Sequence, residues 1–257
     1  MRFGVFALAG LLTLPAVAAA QDNGGFASPP PEDLVPFTRF GVTPWVGVRV
    51  GYGSGNYFAI TEGGDQFRLD ENRGSSASVG LNAEYQLRGP LNLVAGVAYS
   101  AANEDEINVT TTGSNPTTDT FVSDGPQMWF FKAGAQYRLP DPMPDNRRFH
   151  PAAYITVAPS LVVVDYAEID GLDNDDVNGS STHFGLNLGV DAVTNLGSRG
   201  LALSFGFEDY LTFWNEDRVR LRDEVLLGEL FQEPVVVNYD APMANILVLR
   251  AGLSWRF

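Results

Sequence analysis

The sequence has 257 residues, of which 45% are hydrophobic, and it contains no cysteine. Its formal net charge is -15 at pH 7. A chain this acidic is repelled by nucleic-acid phosphates, so no nucleic-acid partner is expected. Without cysteine it has neither a disulfide nor a cysteine-based zinc site, and no motif in it predicts a cofactor or a metal.

The N-terminus has the pattern of a secretory signal peptide. Arg2 precedes an apolar run from Phe3 to Leu14, and an alanine-rich stretch follows. The run is shorter than the roughly 20 residues that a membrane-spanning helix needs. We therefore expect an exported chain, with residues 1–20 as the signal peptide and the proline-rich residues 21–41 as a periplasmic linker.

Apolar and polar residues then alternate in eight segments, each about as long as a tilted membrane strand. The segments lie at about 43–53, 76–87, 91–101, 127–139, 151–165, 182–194, 200–213 and 244–257. Their connections are alternately long and short, like the extracellular loops and periplasmic turns of outer-membrane barrels. The sequence thus predicts an all-β fold, an eight-stranded antiparallel up-and-down transmembrane β-barrel formed by residues 42–257, in the cell outer membrane.

Alternation alone also fits a soluble lipocalin-like barrel, whose apolar rows would point inward. The polar rows argue against that alternative because they contain repeated glycines, among them Gly47, Gly80 and Gly206. A solvent-exposed strand gains nothing from glycine, whereas the crowded interior of an eight-stranded barrel needs small residues. We therefore expect the apolar rows to face lipid.

This orientation places the polar rows in the lumen and the aromatic residues of the apolar rows at the two membrane interfaces. Unpaired charges in a narrow lumen are costly, so the interior is predicted to form a paired, hydrogen-bonded plug. The predicted lumen network consists of Arg49, Asn82, Glu84, Lys132, Gln136, Arg138, Asn187, Asp191, Ser204, Glu208, Arg250 and Arg256. The predicted aromatic girdles contain Tyr52, Tyr85, Tyr99, Trp129, Tyr137 and Phe184.

The last eight residues, from Arg250 to Phe257, resemble the C-terminal assembly signal of outer-membrane barrels. Gly252, Trp255 and Phe257 stand at its matching positions, and the resemblance implies recognition by the barrel-assembly machinery. In plan, the chain is similar to the small eight-stranded superfamily that includes the OmpA transmembrane domain, OmpX, OmpW and the opacity proteins. Unlike full-length OmpA, it is expected to have no peptidoglycan-binding domain after the last strand. The resemblance therefore does not imply attachment to the cell wall.

The long connections carry many more acidic residues than arginines, so the outer surface is predicted to be strongly negative. Partners are expected to be outer-membrane lipids and lipopolysaccharide, with divalent cations bound loosely at clusters such as Asp173, Asp175 and Asp176. This stretch resembles the start of a calcium-binding loop, but Gly185 occupies the position at which such a loop needs a bidentate Glu. The fourth long connection is unusually apolar, and residues 223–231 are predicted to form a short helix or cap.

The function predicted from these features is structural, that of a surface protein with a plugged lumen. The first alternative is a narrow channel for ions or small solutes. The second is a lipid-modifying enzyme, because His183 lies beside Ser180, Ser181 and Thr182 near the outer rim. His183 does not begin the His, any, Ser arrangement of the barrel deacylases, and no partner acid is identifiable. The chain is therefore predicted not to be an enzyme, and no catalytic residue is assigned.

Overall fold

A computed structural model describes residues 40–53, 57–61, 64–73, 75–112, 116–140, 151–166, 179–196, 200–213, 220–221, 223–225, 227–228, 232, 234–239 and 243–257. The predicted signal peptide, most of the linker and the acidic cluster of the third loop lie outside these residues. The strands are β1 Phe40–Gly53, β2 Tyr57–Thr61, β3 Gln66–Arg73, β4 Ser76–Arg88, β5 Leu91–Ser100, β6 Glu104–Thr111, β7 Thr118–Asp124, β8 Gln127–Arg138, β9 Ala152–Tyr166, β10 Gly179–Asn195, β11 Leu201–Phe213, β12 Val235–Tyr239 and β13 Met243–Arg256.

Eight of these strands close into the predicted antiparallel barrel, in the order β1, β13, β11, β10, β9, β8, β5, β4. The seam pairs the first strand with the last, with Gly41 opposite Arg256 and Val50 opposite Leu247. Strand β1 begins at Phe40, so the barrel starts inside the range predicted as linker. The predicted eight-stranded all-β fold is confirmed.

Side chains alternate between the lumen and the outer surface of the barrel. Along β8, Trp129, Phe131 and Tyr137 are 45%, 41% and 45% exposed, whereas the intervening Lys132 and Gln136 are buried. Buried polar side chains and exposed apolar ones are the reverse of a soluble domain, and they fit a wall whose solvent is hydrocarbon. The lipocalin-like alternative, with its apolar rows inside, is therefore wrong.

A second sheet of five antiparallel strands, in the order β12, β2, β3, β6, β7, is formed within three of the connections predicted to be long loops. One face of it buries Ala59, Val109, Val235 and Val237 together with Leu227. The described residues at 220–221, 223–225 and 227–228 are helical, in partial agreement with the helix predicted at 223–231. The Glu224 carboxylate accepts a hydrogen bond from the Val237 N–H at 3.1 Å, which blocks an edge of β12.

Lumen glycines allow neighbouring backbones and rings to approach closely. A Cβ on Gly47 would lie 2.2 Å from the Leu249 carbonyl oxygen, and a Cβ on Gly80 would lie 2.3 Å from the Trp45 ring. At Gly41 the nearest atom to an added Cβ would be at an ordinary 3.6 Å. Gly47 is therefore required for packing at the seam, and Gly80 is required for packing in the lumen.

We expect Gly47→Ala to lower the free energy of unfolding by about 1–3 kcal/mol, because the clash is with backbone of the adjacent strand. Urea-induced unfolding in phospholipid vesicles measures this loss. The matched control is Gly41→Ala on the same strand, which should be close to neutral. Equal losses in the two variants would contradict the packing argument.

Candidate functional site

Four charged side chains meet in the lumen, although they come from four different strands. The Lys132 ammonium forms an ion pair with Glu208, and Arg250 Nη2 lies 2.6 Å from Asp191 Oδ1. Arg250 Nε also lies 2.8 Å from Glu208 Oε1, which links the two pairs. Each of these side chains is at most 4% exposed. The four charges sum to zero, as a site shielded from water requires.

Three uncharged side chains complete this cluster, which we call the lumen network. Tyr210 donates its hydroxyl hydrogen to Glu208 Oε2 at 2.7 Å. With its amide oxygen turned toward Arg250, Asn82 accepts from Nη1 at 3.1 Å. The Arg250 guanidinium also lies 5.7 Å from the centre of the Trp45 ring. The network therefore joins β1, β4, β8, β10, β11 and β13 across the lumen.

Other predicted lumen residues lie inside the barrel but outside this network. Gln136 accepts from Asn92 Nδ2 at 3.1 Å and lies 3.4 Å from the Thr156 hydroxyl. Arg49 is fully buried, with Nη1 3.4 Å from the Pro126 carbonyl oxygen. The Arg256 guanidinium lies 5.9 Å from the centre of the Tyr154 ring. The lumen is thus filled by several separate polar groups.

Of the remaining four positions of the prediction, Glu84 interacts electrostatically with Asp191 and Arg250 of the network. Asn187 and Ser204 are buried, and neither side chain has a hydrogen-bond partner among the described residues. Glu84 and Arg138 are half-buried on the inward rows of their strands. The structure thus joins only a subset of the predicted residues: Asn82, Lys132, Asp191, Glu208 and Arg250.

Sequence reasoning missed an apolar cluster that also lies inside the barrel. The cluster consists of Trp45, Ala98, Met128, Phe130, Val162, Val164, Tyr210, Ile246 and Val248. Phe130 and Tyr210 pack with their ring centres 4.7 Å apart, so this cluster adjoins the lumen network. The run of apolar residues at 161–164 was the available signal, because it is apolar on both faces of β9.

Five of the six predicted girdle residues have side chains on the outer surface. Tyr85, Trp129, Tyr137 and Phe184 are exposed apolar-row residues, and the Tyr99 ring packs 5.0 Å from that of Trp129. The backbone of Tyr52 lies in β1, but its side chain is outside the described part of the structure. Within that part, no helix is long and apolar enough to span a membrane.

Two residues near the outer end of β10 form the contact most relevant to catalysis. Ser181 Oγ lies 2.6 Å from His183 Nε2, and the two residues are 3% and 1% exposed. A serine hydroxyl beside a histidine ring is the minimal arrangement of an activated nucleophile. Among the described residues, no group of three or more His, Asp or Glu side chains is placed to hold a metal ion.

A closed eight-stranded barrel with an apolar outer wall and a polar, cross-braced lumen defines a small outer-membrane β-barrel protein. No protein-family model and no curated protein matches the sequence.

Three solved structures illustrate the folds to which the chain is similar. Ail, the attachment invasion locus protein of Yersinia pestis, in complex with the heparin analogue sucrose octasulfate, has 9% identity and a TM-score of 0.40 over 85% of this chain and 99% of that one. OprG from Pseudomonas aeruginosa has 10% identity and a TM-score of 0.42 over 87% and 98%. The outer membrane protease OmpT from Escherichia coli has 9% identity and a TM-score of 0.36 over 90% and 99%. Identities this low concern the fold alone.

Proposed function

We propose that this protein is a structural and surface component of the outer membrane, with a closed barrel that displays an acidic extracellular sheet. The observation that carries the proposal is the lumen network, in which Lys132, Asp191, Glu208 and Arg250 cross-brace the interior. A solute would have to separate these buried ion pairs to pass. Eight strands also leave an interior that side chains can fill, unlike the wide pores of larger barrels.

The outer surface supports a role in envelope cohesion. Acidic residues dominate the connections on that side, and lipopolysaccharide also carries negative charge, so the two surfaces need a mediator. Divalent cations held between loop carboxylates and lipid phosphates would supply it. We therefore propose lipopolysaccharide as the main partner, bridged by loosely bound cations.

Planar-bilayer conductance tests the closed lumen. The purified wild-type protein should show no stable openings, because the lumen network and the apolar cluster block the axis. The double variant Phe130→Ala/Lys132→Ala removes one side chain from the apolar cluster and one from the lumen network. It should produce openings. Phe131→Ala, on the outer face of the same strand, is the matched control and should stay closed. Frequent, stable openings of the wild type would instead favour the narrow-channel alternative.

A specific observation favours that alternative as the second candidate. Buried polar atoms without a partner among the described residues occur at Asn187, Ser204 and Ser254. Such atoms are usually satisfied by ordered water. A file of water could therefore extend along part of the lumen, and the conductance of the wild type decides between the two candidates.

We propose that the contact between Ser181 and His183 has no catalytic role. Its burial supports this proposal, because a lipid substrate would need access to the serine hydroxyl. Cells that express the wild type and cells that express His183→Ala should have the same lipid A mass spectrum. A change in acyl chains that depends on the wild-type protein and disappears in His183→Ala would establish the enzymatic alternative.

A further inference from the structure

One acidic residue stands on the wall that faces lipid. Asp209 lies on the outward row of β11, between Phe207 and Leu211, and its strand neighbours are Leu188 on β10 and Leu247 on β13. Asp209 is half-buried, and its Oδ1 atom has no hydrogen-bond partner in the described residues. It is the only charged residue that the described outward rows carry between the two aromatic girdles.

The depth of Asp209 follows from its position along β11. Leu201, at the periplasmic end, pairs with Trp255, and Asp209 is eight residues further along the strand. At the usual rise and tilt of barrel strands, this is about 20 Å higher along the axis. Phe213, which pairs with the outer-girdle residue Phe184, lies about 10 Å above it. Because the apolar band is about 25 Å tall, Asp209 lies within hydrocarbon, toward the outer leaflet.

A carboxyl group at that depth needs a polar partner, and acyl chains offer none. Between transmembrane helices, polar side chains at such depths form hydrogen bonds that hold the helices together. We propose that Asp209 marks a face through which two copies of this chain pair in the membrane, with their Asp209 carboxyl groups opposed across a twofold axis. This inference goes beyond the proposed structural function.

A second copy of the chain supplies a polar partner at the depth where Asp209 needs one. Two copies in one membrane have the same orientation, so a twofold axis between them runs along the membrane normal. Such an axis keeps every residue at its own depth, and Asp209 therefore meets Asp209. The outward rows described here offer no lysine or arginine at that depth. When both are protonated, two opposed carboxyl groups each donate one hydrogen bond and accept one, so they satisfy each other.

The side chains around Asp209 suit a protein contact. Phe205 and Phe213, on the same row, are 52% and 53% exposed, and Leu211 lies between Asp209 and Phe213. These large apolar groups would pack against their symmetry mates and keep acyl chains away from the carboxyl pair. The polar contact would then be enclosed, as it is in stable interfaces.

Cross-linking tests the proposed face, and the absence of native cysteine makes single-cysteine variants unambiguous. Leu211→Cys, reconstituted at low protein-to-lipid ratio and oxidised, should form a disulfide-linked dimer while Asp209 is retained. Val97→Cys is the control, on the outward row of β5 at a similar depth across the barrel. Equal cross-linking of the two variants would indicate random collision and overturn the proposal.

The role of the carboxyl group requires a second comparison. Asp209→Asn keeps a donor and an acceptor and should keep most of the dimer, measured by energy transfer between labelled copies in vesicles. Asp209→Leu should weaken association about tenfold. Heat-modifiable gel migration confirms that each variant is folded. A monomeric wild type, or a dimer equally strong in Asp209→Leu, would refute the proposal.

Discussion

Replacing Glu208 with leucine should lower the free energy of unfolding by about 3–5 kcal/mol, the cost of leaving a buried charge uncompensated. Glu208 is fully buried and contacts Lys132, Arg250 and Tyr210. The variant would leave two cations beside Asp191 alone and would deprive the Tyr210 hydroxyl of its acceptor. Leucine fills a similar volume, so the loss reports charge rather than a cavity. Urea unfolding in phospholipid vesicles measures it.

Two further variants separate charge balance from general damage to the lumen. Glu84→Leu removes a half-buried carboxylate whose interaction with Asp191 and Arg250 is electrostatic only, and it should cost much less. Lys132→Met combined with Glu208→Leu leaves the neutral pair of Arg250 and Asp191, and should recover most of the stability, because apolar side chains can replace a buried ion pair at little cost. A double variant no more stable than Glu208→Leu alone would contradict the charge-balance explanation.

The barrel was predictable from the sequence because lipid and lumen impose opposite polarity on successive residues of every strand. Trp129, Phe131 and Tyr137 alternate with Lys132 and Gln136 on β8, and this period of two depends only on local sequence. The number of barrel strands, their approximate bounds and the direction of each face all follow from it.

The pairing inside the lumen was not predictable in the same way. Lys132 and Glu208 are 76 residues apart, and they lie on strands that are not neighbours in the barrel. Whether their side chains meet depends on the stagger of the closed sheet, which no local pattern records. Tyr210 could have been added to the predicted network, since it shares the inward parity of Ser204 and Glu208 on β11.

The second sheet was missed for another reason. Its strands are short, and charges and glycines separate them, so β2 and β3 resemble loop sequence. Only the apolar residues at 235–237 departed from that pattern, and a helix or cap was predicted near them. These short strands acquire stability by pairing with distant segments, as β12 does with β2. Such long-range pairing leaves little trace in either segment.

Phe257→Ala should sharply reduce the amount of protein in the outer membrane of a Gram-negative cell, yet change the refolded barrel little. In the folded chain the Phe257 ring is 65% exposed and stacks on Phe40 at 6.5 Å between centres. Loss of that contact costs about 1 kcal/mol. The substitution keeps the backbone hydrogen bond from the Phe257 N–H to the Phe40 carbonyl oxygen, at 2.8 Å. A large loss of protein from the outer membrane of cells would therefore reflect failed assembly, not lost stability.

Phe40→Ala distinguishes the two explanations because it removes the same ring contact without altering the C-terminal octet. Membrane fractions show the amount assembled, and urea unfolding of refolded protein shows the stability. If Phe257 acts as the assembly signal, only Phe257→Ala should fail in cells, while both variants unfold at similar urea concentrations. If the ring contact at the seam were what matters, both would fail together, and the resemblance of the octet would carry no functional meaning. Failure of Phe257→Ala alone would show that the exposed ring at the end of the last strand serves recognition before folding, because its contact in the folded barrel contributes too little to require it.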